Sequence, residues 1–476
     1  MLECFESSDD TISKEKMKEP KIKNFSIELE TIEQFENFKK QKVTIENCEG
    51  DAFITKSKKD LQLLFNGIFK YQSDKKLIVN IEDKEFIFKS INFKEPINDA
   101  FSGISGQHTF DIESVYKGSF DKKALFRMFF FDNSKRTHVF HYKLETAKKD
   151  GVNTWAFECV RLSVNTKNYD ITQYKNNDNS YFVIENLEPT SLVEFNEDSY
   201  AIQKGIGFLI GYMPGGQNYI FSGENFIYQR LARKSLKSIF HPVTSDPYSK
   251  LHKEKNIADS YYGNLKVIPI EVISNFITQL RNNQDYAVAI IFLMEVTHLK
   301  SVVSMPGVFS VILESLANII NTKQKELEKL IPNQKVFVNI KTDLNKVIDS
   351  YVGKINENAV IKVRRRINEL NKPINPNRLT NAEKLRAPFD QLKIKLSPED
   401  ELAIDYRNDL LHGNILMNNN LKRTNKEIDD KMLFASAKLY TLISKLILKN
   451  SGYSGYVINH VKFYNKDSKE DYFVEI

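Results

Sequence analysis

Short runs of alternating hydrophobic and polar residues occupy the first half of the chain. The segment KLIVNIEDKEFIFKSINF predicts a β-hairpin that turns at Glu82, Asp83 and Lys84. Further aromatic or β-branched runs, ALFRMFFF, THVFHYKLE and TWAFECVRLSV, follow between polar turns. This pattern predicts a β-rich domain over residues 22–197, preceded by a flexible tail over residues 1–21 in which acidic and basic residues are interleaved.

The hydrophobic period becomes helical after Asp198. The runs EVISNFITQLRN and DYAVAIIFLMEVTHL predict a helical middle region over residues 198–300. The most apolar stretch, YAVAIIFLM, is well short of the ~20 residues that a membrane helix needs, so it predicts a buried core helix. Residues 301–476 also have a mainly helical pattern with a short β-like tail, and PGVFSVILESLANII is typical of a central bundle helix.

The segment SPEDELAIDYRNDLLHG predicts one short helix with a defined beginning and end. Ser397 is a good N-cap, Pro398 suits the first helical position, and Asp400 completes a capping box. Gly413 predicts the end of the helix.

Two faces of this predicted helix differ in chemistry. The apolar residues recur every four positions and are predicted to face a core: Leu402, Tyr406 and Leu410. Asn408 and His412 lie one turn apart on another face, with Arg407 beside them. We therefore expect an arginine, an amide and a histidine to converge near a helix C-terminus.

Composition restricts the functional classes only slightly. The length of 476 residues predicts two to three domains, and the net charge of +6 neither demands nor excludes a nucleic-acid partner. Cys4, Cys48 and Cys159 are odd in number and far apart, so we expect no disulfide framework and a reducing compartment. The N-terminal MLECFESSDD has no apolar signal core, which predicts a cytoplasmic protein without membrane association.

An arginine followed after four residues by a histidine is a weak signal by itself. Arg136 and His141 have the same separation, but their segment predicts a strand, where an odd separation places two side chains on opposite faces. Arg407 and His412 differ because they lie at the end of a capped helix. The isolated cysteines and the histidines of the predicted strand indicate no metal site.

The stretch RNDLLHG resembles the Arg-x4–6-His motif of the HEPN superfamily. The longer segment LNKPINPNRLTNAEKLRAPFDQLKIKLSPEDELAIDYRNDLLHG is similar to the C-terminal HEPN domain of Apea-like anti-phage proteins. PGVFSVILESLANII, SKLILKNSGYSGYVIN and AIQKGIGFLIGYMPGG also resemble that group. The resemblance covers roughly residues 198–459 and implies a helical bundle. Together with the hydrophobic pattern it predicts an α+β fold: a β-rich N-terminal domain, a helical middle region and a C-terminal HEPN helical bundle over residues 301–476.

The resemblance also implies a metal-independent ribonuclease that needs no cofactor and acts as a homodimer with two facing motifs. Arg407 and His412 match the two fixed motif positions, and Asn408 matches the polar residue that commonly follows the arginine. Elementary chemistry agrees, because metal-free RNA cleavage requires a base, an acid and positive charge near the reacting phosphate. Histidine titrates near neutrality and arginine binds phosphate oxygens, while a symmetric dimer supplies two copies of each.

Several residues have alternative interpretations. Arg407 is either catalytic or paired with Asp405, Asp409 or Glu314. Glu314, inside an apolar run, either points outward or is a buried supporting acid. The run Arg364, Arg365 and Arg366 is either a solvated helix face or an RNA phosphate contact, and the predicted buried stripe beside it is Val360, Val363, Ile367 and Leu370. Gly205, Gly207 and Gly211 match no phosphate-binding motif, so they predict close helix packing.

The predicted function is that of an RNA endonuclease effector, or toxin, in a bacterial anti-phage defence system of the abortive-infection type. Its expected products have 2′,3′-cyclic phosphate ends, and transfer RNA is a candidate substrate because related enzymes favour it. The β-rich half is then expected either to sense a trigger, for which a phage-derived molecule is the candidate, or to hold the nuclease inactive. The alternative is a non-catalytic HEPN binding or assembly module in a defence or toxin–antitoxin complex.

Overall fold

The structure is a computed structural model that describes residues 25–37, 40–46, 49–57, 60–68, 76–81, 84–93, 105–132, 144–149, 152–156, 159–176, 179–243, 268–320, 331, 333–371, 381–411, 424–464 and 468–476. The strands of these residues are β1 (Gln41–Ile45), β2 (Glu49–Ser57), β3 (Asp60–Ile68), β4 (Lys76–Ile81), β5 (Lys84–Phe93), β6 (Ser105–Lys117), β7 (Arg127–Phe131), β8 (Leu144–Lys149), β9 (Val152–Ala156), β10 (Cys159–Val164), β11 (Lys167–Asn176), β12 (Asn179–Asn186), β13 (Tyr212–Met213), β14 (Gln217–Ser222), β15 (Asn225–Arg230), β16 (Leu236–Lys237), β17 (Tyr456–Ile458) and β18 (Phe473–Glu475). The helices are α1 (Ser26–Glu36), α2 (Leu192–Ile210), α3 (Ile270–Asn282), α4 (Gln284–Leu299), α5 (Ser304–Ile320), α6 (Gln334–Asp349), α7 (Glu357–Glu369), α8 (Asn381–Gln391), α9 (Pro398–Leu411), α10 (Asn425–Asn450) and α11 (His460–Tyr464).

Twelve of these strands form one sheet, and part of that sheet closes on itself. The strand order is β10-β11-β12-β7-β14-β15-β6-β3-β2-β1-β4-β5. β5 also pairs with β6, with Ile91 opposite Ile112 and Phe93 opposite Phe110, so these two strands complete a closed six-stranded barrel with β3, β2, β1 and β4. Closure leaves β5, the last strand in this order, paired on both sides.

Helix α1 supplies part of the hydrophobic core of this sheet. The buried cluster that contains residues of the barrel strands also contains Leu29, Ile32 and Phe35 of α1 and its N-cap residue, Phe25. The helix ends at Glu36, whose carboxylate accepts hydrogen bonds from Tyr219 OH and, at 2.8 Å, from Nε2 of Gln217. The Nη1 atom of Arg127 lies 2.6 Å from Oε1 of Glu28, which joins the helix to β7 as well. α1 is therefore held to the sheet by apolar packing and by partly buried polar pairs.

Several local predictions are confirmed. β4 pairs antiparallel with β5, with Leu77 opposite Phe88, as the predicted hairpin requires. The predicted core helix is α4, whose Ile290 and Leu293 are fully buried. The helices of the described residues include none long and apolar enough to cross a membrane.

The predicted helical middle region is wrong, because strands interrupt it and enter the large sheet. After α2, β14 pairs with β7, placing Tyr219 opposite Phe129, and β15 pairs with β6, placing Tyr228 opposite Val115. β14 and β15 are two six-residue aromatic runs separated by Gly223, which has a φ of 61°, and Glu224. A glycine such as Gly223 between two aromatic runs indicates a β-hairpin. The sequence prediction missed it because the segments on both sides have a helical pattern.

The prediction of one helical bundle over residues 301–476 is also wrong. The chain divides into two compact units, one of residues 1–309 with 423–476 and the other of residues 310–422. The long helix α10 belongs to the first unit, where the ring of Tyr440 lies 4.9 Å from that of Phe240 and 6.4 Å from that of Phe208. α10 packs there because it buries aromatic and aliphatic residues over most of its second half. The helices of this range therefore do not form one packing unit, and the predicted domain bounds stay predictions.

Candidate functional site

The helix that carries Arg407, α9, begins at a capping box. The backbone N–H of Ser397 donates to Oδ2 of Asp400, and the N–H of Asp400 donates to Oγ of Ser397, both at 3.1 Å. Pro398 is the first helical residue, where its missing N–H removes no intrahelical hydrogen bond. The predicted start of this helix is therefore confirmed.

The face that α9 buries differs from the predicted face. Leu402 is 47% exposed and Tyr406 is 43% exposed, whereas Ala403 and Ile404 are almost fully buried. The prediction that Leu402 and Tyr406 face a core is therefore wrong. The side chain of Leu410 lies outside the part of the chain that the structure describes. α9 packs instead on α8, because Ala403 and Ile404 lie on the same side of the helix as the buried capping residue Asp400.

Asp405, two residues before Arg407, is held by Arg386 of α8. The Nη2 atom of Arg386 lies 2.9 Å from one carboxylate oxygen of Asp405 and 3.0 Å from the other. This ion pair links the two helices. Its carboxylate, Asp405, is one of the residues that the sequence analysis considered as an ion-pair partner of Arg407. Sequence reasoning missed Arg386 because nineteen residues separate it from Asp405. The available signal was an arginine on the helix that precedes α9.

The structure describes the backbone of two of the three predicted catalytic residues. Arg407 and Asn408 lie near the C-terminal end of α9, which ends at Leu411. His412 lies outside the described residues, as does the second match to the same spacing, Arg136 and His141. The site geometry that joins Arg407, Asn408 and His412 therefore stays a prediction.

Glu314, the candidate supporting acid, lies on α5 with an exposed side chain. Its neighbours Ile312 and Leu313 are buried, so the carboxylate projects from the solvent side of an otherwise apolar helix. This position agrees with the interpretation in which Glu314 points outward. Its role as an acid stays a prediction.

The three candidate RNA-binding arginines are all exposed on α7. Arg364 forms an ion pair with Asp349 of α6, and Nε of Arg365 lies 3.5 Å from Oε1 of Glu369. Exposed pairs of this kind contribute little stability, but they reduce the positive charge that a phosphate would meet. Arg366 is the third member of the run, and the phosphate contact stays a prediction for all three.

The buried stripe predicted for α7 is only half present. Val360 and Ile367 are buried, but Val363 is 43% exposed and Leu370 is 45% exposed. The prediction is therefore wrong for the last two. On α6, the partner of α7, Phe337 is the buried residue. The buried members are the first and the third of the four predicted residues.

The glycines of α2 allow close packing, as predicted. A Cβ atom on Gly205 would lie 2.7 Å from Cγ1 of Ile277, and one on Gly207 would lie 2.7 Å from Cβ of Met213. Gly211 ends the helix with a φ of 68°, a conformation that favours glycine. These residues serve packing and helix termination.

Cys159 is a free, buried cysteine whose Sγ atom lies 3.1 Å from Oγ1 of Thr172. Cys4 and Cys48 lie outside the described residues. Within the part of the chain that the structure describes, no group of three or more histidine, cysteine, aspartate or glutamate residues is arranged to hold a metal ion.

Comparisons of this chain with protein-family models, with curated proteins and with solved structures found no match. The features that point to a function are therefore the motif, its resemblance and the packing of α9.

Proposed function

We propose that this protein is a metal-independent RNA endonuclease in which Arg407 and His412 carry the chemistry, with Asn408 as their polar neighbour. The observation that carries the proposal is the placement of the motif. Arg407 and Asn408 lie near the C-terminal end of a helix that begins at a capping box and that an ion pair between Arg386 and Asp405 joins to α8. Two residues on a regular helix held at its start and its flank suit a reaction that needs fixed geometry.

The proposed reaction is an internal transfer at phosphorus. The 2′-oxygen of one nucleotide loses its proton to a histidine and attacks the adjacent phosphorus atom, while the 5′-oxygen of the next nucleotide leaves with a proton from an acid. The products are a 2′,3′-cyclic phosphate end and a 5′-hydroxyl end. Arg407 would stabilise the charge that develops on the phosphate oxygens.

One His412 per chain supplies either the base or the acid, so we propose that the active form is a homodimer with two facing motifs. The unit of residues 310–422 supports such an association, since it contains more than half of the exposed large hydrophobic side chains among the described residues. Examples are Val347, 56% exposed, and Ile361, 65% exposed. Concentrated apolar exposure is typical of interaction surfaces.

The proposed biological role is that of a cytoplasmic effector in bacterial abortive-infection defence. RNA cleavage would stop phage replication, with transfer RNA as a candidate substrate. A nuclease of this kind must be restrained until infection, so the β-rich part of the chain is the candidate sensor of a phage-derived trigger. The support for this role is the resemblance to anti-phage HEPN proteins.

The direct test is cleavage of RNA by the purified full chain in EDTA, with extract from phage-infected cells as the source of trigger. Arg407→Ala and His412→Ala should each abolish cleavage while leaving the melting temperature unchanged. Arg136→Ala and His141→Ala are matched controls, because they remove the same residue types at the same spacing. Cleavage that survives in both motif variants would contradict the proposal.

The rival proposal is a non-catalytic HEPN binding or assembly module. The ion pairs of Arg364 and Arg365 favour it slightly, because they leave fewer unpaired cations for RNA. Absence of cyclic-phosphate products under every trigger, combined with stable assembly into a larger complex, would support the rival.

A further inference from the structure

The segment RLARKSLK, residues 230–237, is a concentration of positive charge outside the predicted active site. It contains four basic residues in eight, and no acidic residue occurs between Asn225 and Val243. Lys234 and Lys237 are exposed, while Arg233 is partly buried. We call residues 230–237 the basic loop.

The backbone of the basic loop is firmly held. The N–H of Gly216 donates to the carbonyl oxygen of Arg233 at 2.8 Å, and the N–H of Leu231 donates to the carbonyl oxygen of Gly216 at 2.9 Å. The N–H of Gly215 donates to Oγ of Ser235 at 3.0 Å, and β16 pairs with β13. A loop that is already ordered loses little conformational entropy when its side chains bind a ligand.

The basic loop lies along the last turns of α4. The Nε atom of Arg233 lies 3.2 Å from Oε1 of Glu295, and the N–H of Lys237 donates to Nδ1 of His298 at 3.0 Å. Glu295 and His298 are three residues apart and hence neighbours on the helix surface. Arg233 and Lys237 are thereby placed beside consecutive turns of one helix, about 5 Å apart along its axis.

Lys204 of α2 adds a further cation near Arg233. Burial lowers the pKa of Lys204, and the nearby positive charges of Arg233 and Arg281 lower it further. No described carboxylate forms an ion pair with Lys204, Lys234 or Lys237. Glu295 faces this group through Arg233, and Asp198 and Glu197 pair with Arg281, whose charge also lies near Lys204. A partly buried ammonium group among other cations is destabilised until an anion approaches it.

We propose that Arg233, Lys234 and Lys237, together with Lys204, bind the phosphate backbone of RNA. The inference rests on the proposed function in taking RNA as the ligand. It assigns docking to residues other than Arg407 and Arg364–Arg366. Backbone phosphates are recognised by clustered cations without regard to sequence, so this surface would hold many RNAs in position.

The test measures binding of the full chain to a 2′-O-methyl RNA, which lacks the attacking hydroxyl group and therefore cannot be cut. The variant Lys234→Ala/Lys237→Ala should weaken binding about tenfold at roughly 0.1 M salt. It should also lower the slope of log affinity against log salt by about 1.4, the value for two lost phosphate contacts on a single strand. Lys122→Ala/Lys123→Ala is the control, since both residues are exposed lysines and the change in net charge is identical.

An equal loss of RNA affinity in both double variants would overturn the proposal, because the loss would then follow from the change in net charge alone. Unchanged binding in Lys234→Ala/Lys237→Ala would overturn it as well. Binding to phosphatidylserine vesicles that depends on Lys234 and Lys237, without binding to the RNA, would identify a membrane-binding surface. That result would also contradict the proposal.

A substitution of Lys204 gives a second test, in which RNA affinity and thermal stability are expected to change in opposite directions. Lys204→Met should weaken RNA binding about threefold or more, while the melting temperature stays equal or rises, because a partly buried charge is removed. A fall in melting temperature with unchanged RNA binding would show that Lys204 serves the fold and would remove it from the surface.

The two proposals fail separately. If Arg407→Ala and His412→Ala leave cleavage intact while Lys234→Ala/Lys237→Ala weakens binding, the nuclease site falls and the docking surface stands. If the lysine variants bind the uncut RNA normally while the motif variants lose cleavage, the surface falls and the nuclease site stands.

Discussion

Arg386 reaches across from α8 to both carboxylate oxygens of Asp405, at 2.9 and 3.0 Å, two residues before Arg407 on α9. The pair lies at the surface, with Arg386 31% exposed and Asp405 51% exposed. Exposed ion pairs contribute about 0–1 kcal/mol to stability, so this one matters more for the orientation of α9 than for the stability of the fold.

We predict that Arg386→Ala lowers RNA cleavage about 10- to 100-fold while changing the melting temperature little, because small displacements of reacting groups are costly to rate. Asp405→Asn should have the same effect. The double variant should be no worse than either single variant, since both remove one link. Additive losses in the measured cleavage rates would show that Arg386 and Asp405 act independently.

The buried Asp198 should be far more important for stability than its exposed neighbour Glu197. Asp198 accepts a hydrogen bond from Nε of Arg281 at 2.6 Å and another from Tyr169 OH, and Glu197 pairs with the same arginine. Asp198→Ala leaves a partly buried guanidinium group without this partner and should cost about 3–5 kcal/mol of unfolding free energy. Glu197→Ala, at a 53% exposed side chain, should cost at most about 1 kcal/mol in the same calorimetric measurement. Similar losses in the two variants would contradict this assignment.

The close contact of Gly207 should make alanine unfavourable there. Its Cβ would lie 2.7 Å from Cβ and 2.9 Å from Cα of Met213, so overpacking should cost about 1–3 kcal/mol despite the higher helix propensity of alanine. Gly307 of α5 has no atom within 4 Å of the same position and is the matched control. Gly307→Ala should leave the melting temperature equal or higher, whereas a rise for Gly207→Ala would show that α2 can move away from Met213.

Alkaline pH should destabilise the fold partly through Tyr453. Burial raises the pKa of Tyr453 to about 12, above its ordinary value of 10.0. The unfolded chain therefore releases this proton first, so the stabilisation is complete below pH 10 and is lost as the pH rises towards 12. The loss approaches about 2–3 kcal/mol for this residue.

Tyr453→Phe removes this titration and is the variant to compare. Between pH 9 and about 11.5, its unfolding midpoint should fall less than that of the unchanged chain. Burial raises the pKa of Tyr286 and Tyr440 as well, but they titrate in both proteins and cancel in the difference. Parallel pH profiles for the two chains would contradict the role of Tyr453.

The sequence by itself determined the features that depend on residues close together in the chain. The capping box of Ser397 and Asp400 spans three residues, and the β4–β5 hairpin joins adjacent runs. The buried helix α4 and the packing glycines of α2 are also local signals, because helix caps, turns and apolar period act within one or two turns. The position of Arg407 and Asn408 on α9 is also a local feature, since both belong to one short helix.

The tertiary structure decided which surfaces meet. β14 and β15 lie between β7 and β6, about a hundred residues earlier in the chain, and α10 packs with the first compact unit. Tertiary packing also leaves Leu402 and Tyr406 exposed and joins Arg386 to Asp405. It likewise places Arg233 and Lys237 along α4. A local pattern shows that a face is apolar or charged. Which element packs against that face depends on the burial and strand pairing of the whole chain. A short sequence segment does not contain this information.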